Sequence, residues 1–220
     1  MARADKKATN GRVPADLPTG LEYLTSIEAT RFLPSLPLED ARVEAGDLTG
    51  CEVTSLALTC CVLERVVFAQ AAVQSALLRD VRFIKCDLSN AVSRGFEARR
   101  VEFIDCRLLG MKAISCNWQD VLLEDCDARY AQFNGGVARS CEFKGTRLDE
   151  ADFRGVNLAG TIFRDASLRR ADLSGAKMNA TNLRGADIDG LVVRAGDLGG
   201  ALVTPPQAMD LARLLGLVIG

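Results

Sequence analysis

From Ala41 to Pro205 apolar and polar positions recur every five residues, with no insertion and no slip of phase. The run ADFRG, VNLAG, TIFRD, ASLRR, ADLSG, AKMNA, TNLRG, ADIDG, beginning at Ala151, shows the unit. The third residue of each block, its centre, is large and apolar in 28 of 33 blocks; Ser93, Ala98, Ala113, Ala128 and Ala138 are the exceptions. The first residue is mostly small: Ala, Cys, Gly, Val or Thr. None of the 43 charged residues in this stretch occupies a centre or a small site. An unpaired buried charge is too costly, so this segregation marks both positions as dry.

A period of five is neither the two of a flat strand nor the 3.6 of a helix. Side chains alternate in extended chain, so positions one and three share a face while positions two and four point away from it. Position five is left to turn the corner, and it is often glycine, as at Gly145, Gly155 and Gly160. The pattern predicts short extended segments joined by corners, coiled around an apolar axis. One coil cannot bury that axis alone, so coils must stack.

The ends depart from the period. Residues 13–40 hold four of the six prolines and read as an N-terminal cap, with a short strand or helix around Leu21 to Phe32; residues 1–12 are expected to be disordered. At the other end, Thr204 is placed to cap a helix, with Pro205 at its first position and Gln207 at its third. Met209, Leu211, Leu214, Leu215 and Val218 follow at near-helical spacing, so 206–220 is expected to be a helix that covers the last coil and can also pair with a second copy.

The block motif resembles A(D/N)LXX, the consensus of the pentapeptide-repeat superfamily, over about three-quarters of the chain. The resemblance implies an all-β fold: a right-handed quadrilateral β-helix with four blocks per coil, about eight coils over 41–205, and a length of about 40 Å at a strand spacing of roughly 4.8 Å. A 20-residue coil stacks Phe83, Phe103, Leu123, Phe143 and Phe163 in one ladder and Cys86, Cys106 and Cys126 in another. Volume is exchanged along the axis: Phe96 accompanies Ala98, Met111 accompanies Ala113, and Trp118 would lie between Ala98 and Ala138.

Composition narrows the chemistry. The chain has no histidine, which removes His-based triads, bases, ligands and pH switches. Twenty-seven Lys and Arg against 29 Asp and Glu disfavour a basic nucleic-acid binder. There is no signal-peptide pattern and no long apolar run, so the sequence reads as cytoplasmic, with no membrane partner and no direct nucleic-acid partner. Seven of the eight cysteines occupy small sites, where a thiol serves as a small hydrophobe. No CxxC pair, phosphate loop or activated nucleophile occurs, so no enzyme activity, metal or cofactor is expected.

Two surface readings remain. Ile84, Ile104, Leu122 and Ile162 lie at outward positions of neighbouring blocks and form a candidate protein-docking patch. The segment ALVTPPQAMDLARLLGLVIG is similar to the C-terminal end of gyrase-directed pentapeptide proteins, where that element dimerises and acidic stripes imitate DNA. That likeness implies DNA gyrase as a partner and Asp47, Asp87, Asp127, Asp187 and Asp189 as an acidic stripe. Arg107, Arg129, Arg147, Arg169 and Arg170 dilute it, and no face carries more than two excess acidic charges. A non-catalytic protein-interaction solenoid is therefore the leading expectation, with a DNA-mimicking regulator or protector of gyrase as the alternative.

Overall fold

The computed structural model describes residues 11–17, 25–28 and 37–219. The chain forms a β-solenoid of parallel strands closed at its C-terminal end by one helix. The ladder that begins at Arg42 climbs through Val62, Arg82, Glu102, Leu122, Glu142, Ile162 and Asn182 to Leu202, in eight steps of 20 residues. Below it, the strand Thr25–Glu28 pairs with Ala41–Glu44, a step of 16 residues. The expected N-terminal cap thus begins the solenoid with one shorter coil, and within Leu21 to Phe32 the described element is a strand. The rest of that stretch lies outside the described residues, as do residues 1–10.

The block ADFRG shows why this composition folds so. Ala151 N–H closes a turn onto the Leu148 carbonyl at 3.0 Å. Asp152 N–H reaches the previous coil at Ala131, while Phe153 and Gly155 N–H reach the next coil at Asp172 and Ser174. Only the fourth amide lacks a backbone partner, and the Asp152 carboxylate accepts it, from Arg154 N–H at 2.9 Å. Every amide of the block is thereby satisfied, as buried backbone requires. Asp47, Asp87, Asn157, Asp172, Asn182 and Asp187 accept from the residue two places on in the same way. The blocks with Leu122, Glu142 and Ile162 at position two instead run as the short strands Leu122–Glu124, Glu142–Lys144 and Ile162–Arg164.

Every residue of positive φ between Asp40 and Gly200 sits at position five. Many are not glycine, including Asp80, Asp120 and Tyr130, because the ladder on either side over-determines the corner. The corners at Ser55 and Ser75 lack this conformation and lie inside the long strands Glu52–Val67 and Ala72–Ile84; Gly95 lacks it too and bends the chain between Val92–Ser93 and Phe96–Ile104.

The axis is filled as the sequence spacing implies. Phe83 stacks on Phe103 with ring centroids 4.8 Å apart, and Phe143 on Phe163 at 4.9 Å. Trp118 pairs in register with Ala98 and Ala138 and is fully buried, with Phe96 edge-on at 5.4 Å. The small-site cysteines are structural: the Cys86, Cys106 and Cys126 thiols donate to the carbonyls of Leu63, Phe83 and Phe103. Thr146, next in the column, donates its hydroxyl to the Leu123 carbonyl at 2.9 Å. Burial lifts the Cys61 thiol to about 11 and the Cys116 thiol to about 12, because a thiolate there would lose its solvation.

The last coil ends in a 3-10 turn, Ala195–Leu198, and the helix Pro205–Leu214 follows. The helix stops short of the expected 220. Gly216 takes φ 87°, its N–H bonds the Arg213 carbonyl, and Leu217 N–H bonds that of Ala212. That reciprocal pair terminates the helix, so Val218 lies beyond it.

Candidate functional site

Three surfaces carry the residues singled out in the sequence. The first is the acidic stripe. Asp47, Val67, Asp87, Arg107, Asp127, Arg147, Ser167 and Asp187 form one continuous ladder along the solenoid. Arginines alternate with the carboxylates in its middle. Asp127 accepts from Arg129 Nε and from Arg147, each at 2.8 Å. Burial would raise the Asp127 pKa, but the Arg129 side chain, its backbone N–H and the nearby Arg147 charge outweigh it and hold the group low. Arg169 bridges Asp187 at 3.2 Å and Asp189 at 2.8 Å. Asp47 is held low by the hydroxyl and N–H of Thr49. The carboxylates thus cap turns and pair with neighbouring cations.

The second surface is the apolar patch. Ile84 and Ile104 stack directly, as the spacing implies. Leu122 is buried, and Ile162 is half-buried on the ladder of Glu142 and Asn182. Ile84 packs against a small cluster made of Ala15, Leu17 and Val62. Residues of the expected N-terminal cap therefore lie along the side of the solenoid rather than over its end. Arg12, expected in a disordered tail, is buried beside Glu102 at 3.5 Å. Val13 N–H donates to Asp120, Ala15 N–H to Glu102 and Asp16 N–H to Asp80. Nothing local in the sequence announces these contacts, since 64 to 107 residues separate the partners.

The third surface is the C-terminal end. Gln207 and Leu211 are the residues that seat the helix. Gln207 Nε2 donates to the Leu183 and Ala186 carbonyls at 2.7 and 2.9 Å, while its Oε1 accepts from Thr204 N–H at 2.9 Å. The sequence shows Gln207 as a cap residue; its second role, tying the helix to the coil below, appears only in three dimensions. Leu211 joins the axial core. Met209, Leu214 and Leu215 face outward, and Val218 is 99% exposed. Among the described residues, eight of the eleven exposed large apolar ones lie in this region: Val192 and Leu202 with Met209, Leu214, Leu215, Leu217, Val218 and Ile219.

Residues 76–153 match the family model for a pentapeptide repeat region, and residues 151–190 match that for pentapeptide repeats in eight copies. No curated protein matches the chain in sequence. Among solved structures, a trypsin-treated variant of QnrB1, a plasmid-mediated fluoroquinolone resistance protein, is 21% identical over 89% of this chain and 95% of its own, with a TM-score of 0.48. HetL, a pentapeptide repeat protein involved in heterocyst differentiation regulation in the cyanobacterium Nostoc sp. strain PCC 7120, is 19% identical over 78% of this chain and 89% of its own, with a TM-score of 0.35.

Proposed function

The chain belongs to the pentapeptide-repeat superfamily, and within it we propose a non-catalytic role in the cytoplasm, as a protein-interaction solenoid that pairs with a second copy of itself through its C-terminal end. The observation that carries this is the gathering of exposed apolar side chains there, from Val192 to Ile219, while the other exposed large apolar residues among those described, Val13, Leu77 and Tyr130, are scattered. Exposed apolar side chains gathered at one end of a rod suit an isologous dimer, in which the same end serves both partners. Sedimentation velocity tests it. The wild-type chain should run as a dimer at micromolar concentration. The double substitution Leu214→Glu with Val218→Glu should give a monomer of unchanged thermal stability. A wild-type monomer at high micromolar concentration would refute the proposal.

A DNA-mimicking role toward DNA gyrase is the weaker reading. It rests on the likeness of the C-terminal segment, and the alternation of Arg107 and Arg147 with the stripe carboxylates opposes it. Mimicry of a duplex backbone calls for concentrated negative charge, whereas Asp127, Asp187 and Asp189 are already paired. Absence of any effect in a gyrase supercoiling assay, with and without a fluoroquinolone, would remove it.

A further inference from the structure

Residues 12–17 cross the side of the solenoid, and the surface beneath them has the chemistry of a peptide-binding groove. Its wall is the corner column Asp80, Arg100, Asp120. Its floor is Val62 and Ile84, and Glu102 stands between. The carboxylates read the backbone of the bound segment. Asp120 accepts Val13 N–H at 3.1 Å, Glu102 accepts Ala15 N–H at 3.2 Å, and Asp80 accepts Asp16 N–H at 2.9 Å. Side chains set the register: Arg12 on Glu102, and Ala15 and Leu17 in the apolar floor.

The spacings are commensurate. Asp80 and Asp120 stand two coil levels apart, about 9.6 Å at a strand spacing of roughly 4.8 Å. Val13 to Asp16 spans three residue steps, a reach of at most about 10 Å. The Val13, Ala15 and Asp16 N–H groups reach the three carboxylates, while Arg12, Ala15 and Leu17 set the sequence that fits.

The groove also survives the loss of its occupant. Asp80 keeps Arg100, whose Nε donates at 2.6 Å, and Glu102 keeps Arg82 at 2.7 Å. The occupant is short, with two apolar side chains buried and Val13 exposed. Segments with few buried contacts open at far lower free energy than the core.

We infer that this lateral groove is a binding site for an extended peptide of a protein partner, carrying an arginine followed three residues on by a small residue and five residues on by leucine, and that residues 12–17 hold it closed in the resting chain. The site lies apart from the C-terminal face and does not depend on dimerisation.

The test uses a fluorescein-labelled peptide with the sequence of residues 10–18, NGRVPADLP, and full-length protein. Ala15→Asp forces a carboxylate into the apolar floor with Leu17 and Val62 and should release the resident segment, so that this variant binds the peptide at least tenfold more tightly than wild type. Adding Glu102→Gln to it should abolish that gain. Absence of binding to both proteins, or equal binding to both, overturns the inference. Hydrogen exchange on the wild-type chain decides it without a variant. The Val13, Ala15 and Asp16 amides should open well before the ladder amides of Phe103 and Leu123; exchange in step with those amides overturns it.

Discussion

Replacing Phe103 by alanine tests the axial packing at its most demanding point. The side chain is fully buried, stacked on Phe83 at 4.8 Å and facing the Trp118 ring at 6.2 Å. Removing a fully buried phenylalanine forfeits about 1.5–3 kcal/mol of burial. Each 50 Å3 of hole that stays open adds about 1.2 kcal/mol, and the lost ring pairs add about 0.5–1.5 kcal/mol. The hole has little means of closing. Ladder hydrogen bonds on both sides, Arg82 to Glu102 and Glu102 to Leu122, hold the levels apart, so neighbouring coils cannot slide inward. The expected loss is therefore at the upper end of the usual range, about 4–5 kcal/mol. Equilibrium urea unfolding, followed together by far-UV circular dichroism and by the fluorescence of the single tryptophan, Trp118, reads the loss and tests two-state behaviour. Leu77→Ala, at a side chain 52% exposed, is the control and should lose less than about 0.5 kcal/mol. A loss below about 1 kcal/mol for Phe103→Ala, at unchanged slope, would refute the register on which the axial packing is argued.

Two further outcomes follow from the structure. Gln207→Ala strips the Ala186 carbonyl of its side-chain donor, leaves the Leu183 carbonyl with the Ala186 N–H alone, and should lower stability by about 1–3 kcal/mol, the consequence of leaving a buried acceptor unpaired. Unchanged stability in reversible denaturation would show that the helix is not seated through this side chain. The folded chain holds the Cys61 and Cys116 protons more tightly than the unfolded chain does, because burial raises these thiols to about 11 and about 12. Their stabilisation is complete below the ordinary thiol pKa of about 8.5 and fades as pH climbs from there through the folded values. The urea midpoint should therefore decline above pH 9, and decline less in Cys61→Ala with Cys116→Ala; identical pH profiles would contradict the assignment.

Much of the fold was open to reading because every block repeats the same local solution. An apolar centre and a small first residue face the axis, and a corner closes at position five. The 20-residue coil was visible in the stacking of Phe83 on Phe103 and in the exchange of volume around Trp118, since neighbours in a ladder must share one cross-section. The helix start was equally plain at Thr204. Its end was less so: the apolar spacing through Val218 reads as helix until Gly216 is seen in the left-handed region.

The candidate surfaces were legible only in composition. An aspartate at position two looks the same in sequence whether it presents a charge to a partner or caps a turn beside an arginine. The ladder that places Arg147 on Asp127 decides which. Leu122 counts as outward by parity, yet it is buried.

The period, the dry axis, the ladder contents and the helix cap are written in the chain, because each depends on residues within one block or at a fixed spacing of 20. Only the tertiary structure decided where the non-repetitive segments lie. Residues 12–17 rest on Asp80, Glu102 and Asp120, and Gln207 hangs the helix from Leu183 and Ala186. These contacts join segments that share no period, so no local pattern encodes them, and they form only once the stacked coils have brought their acceptors into one line.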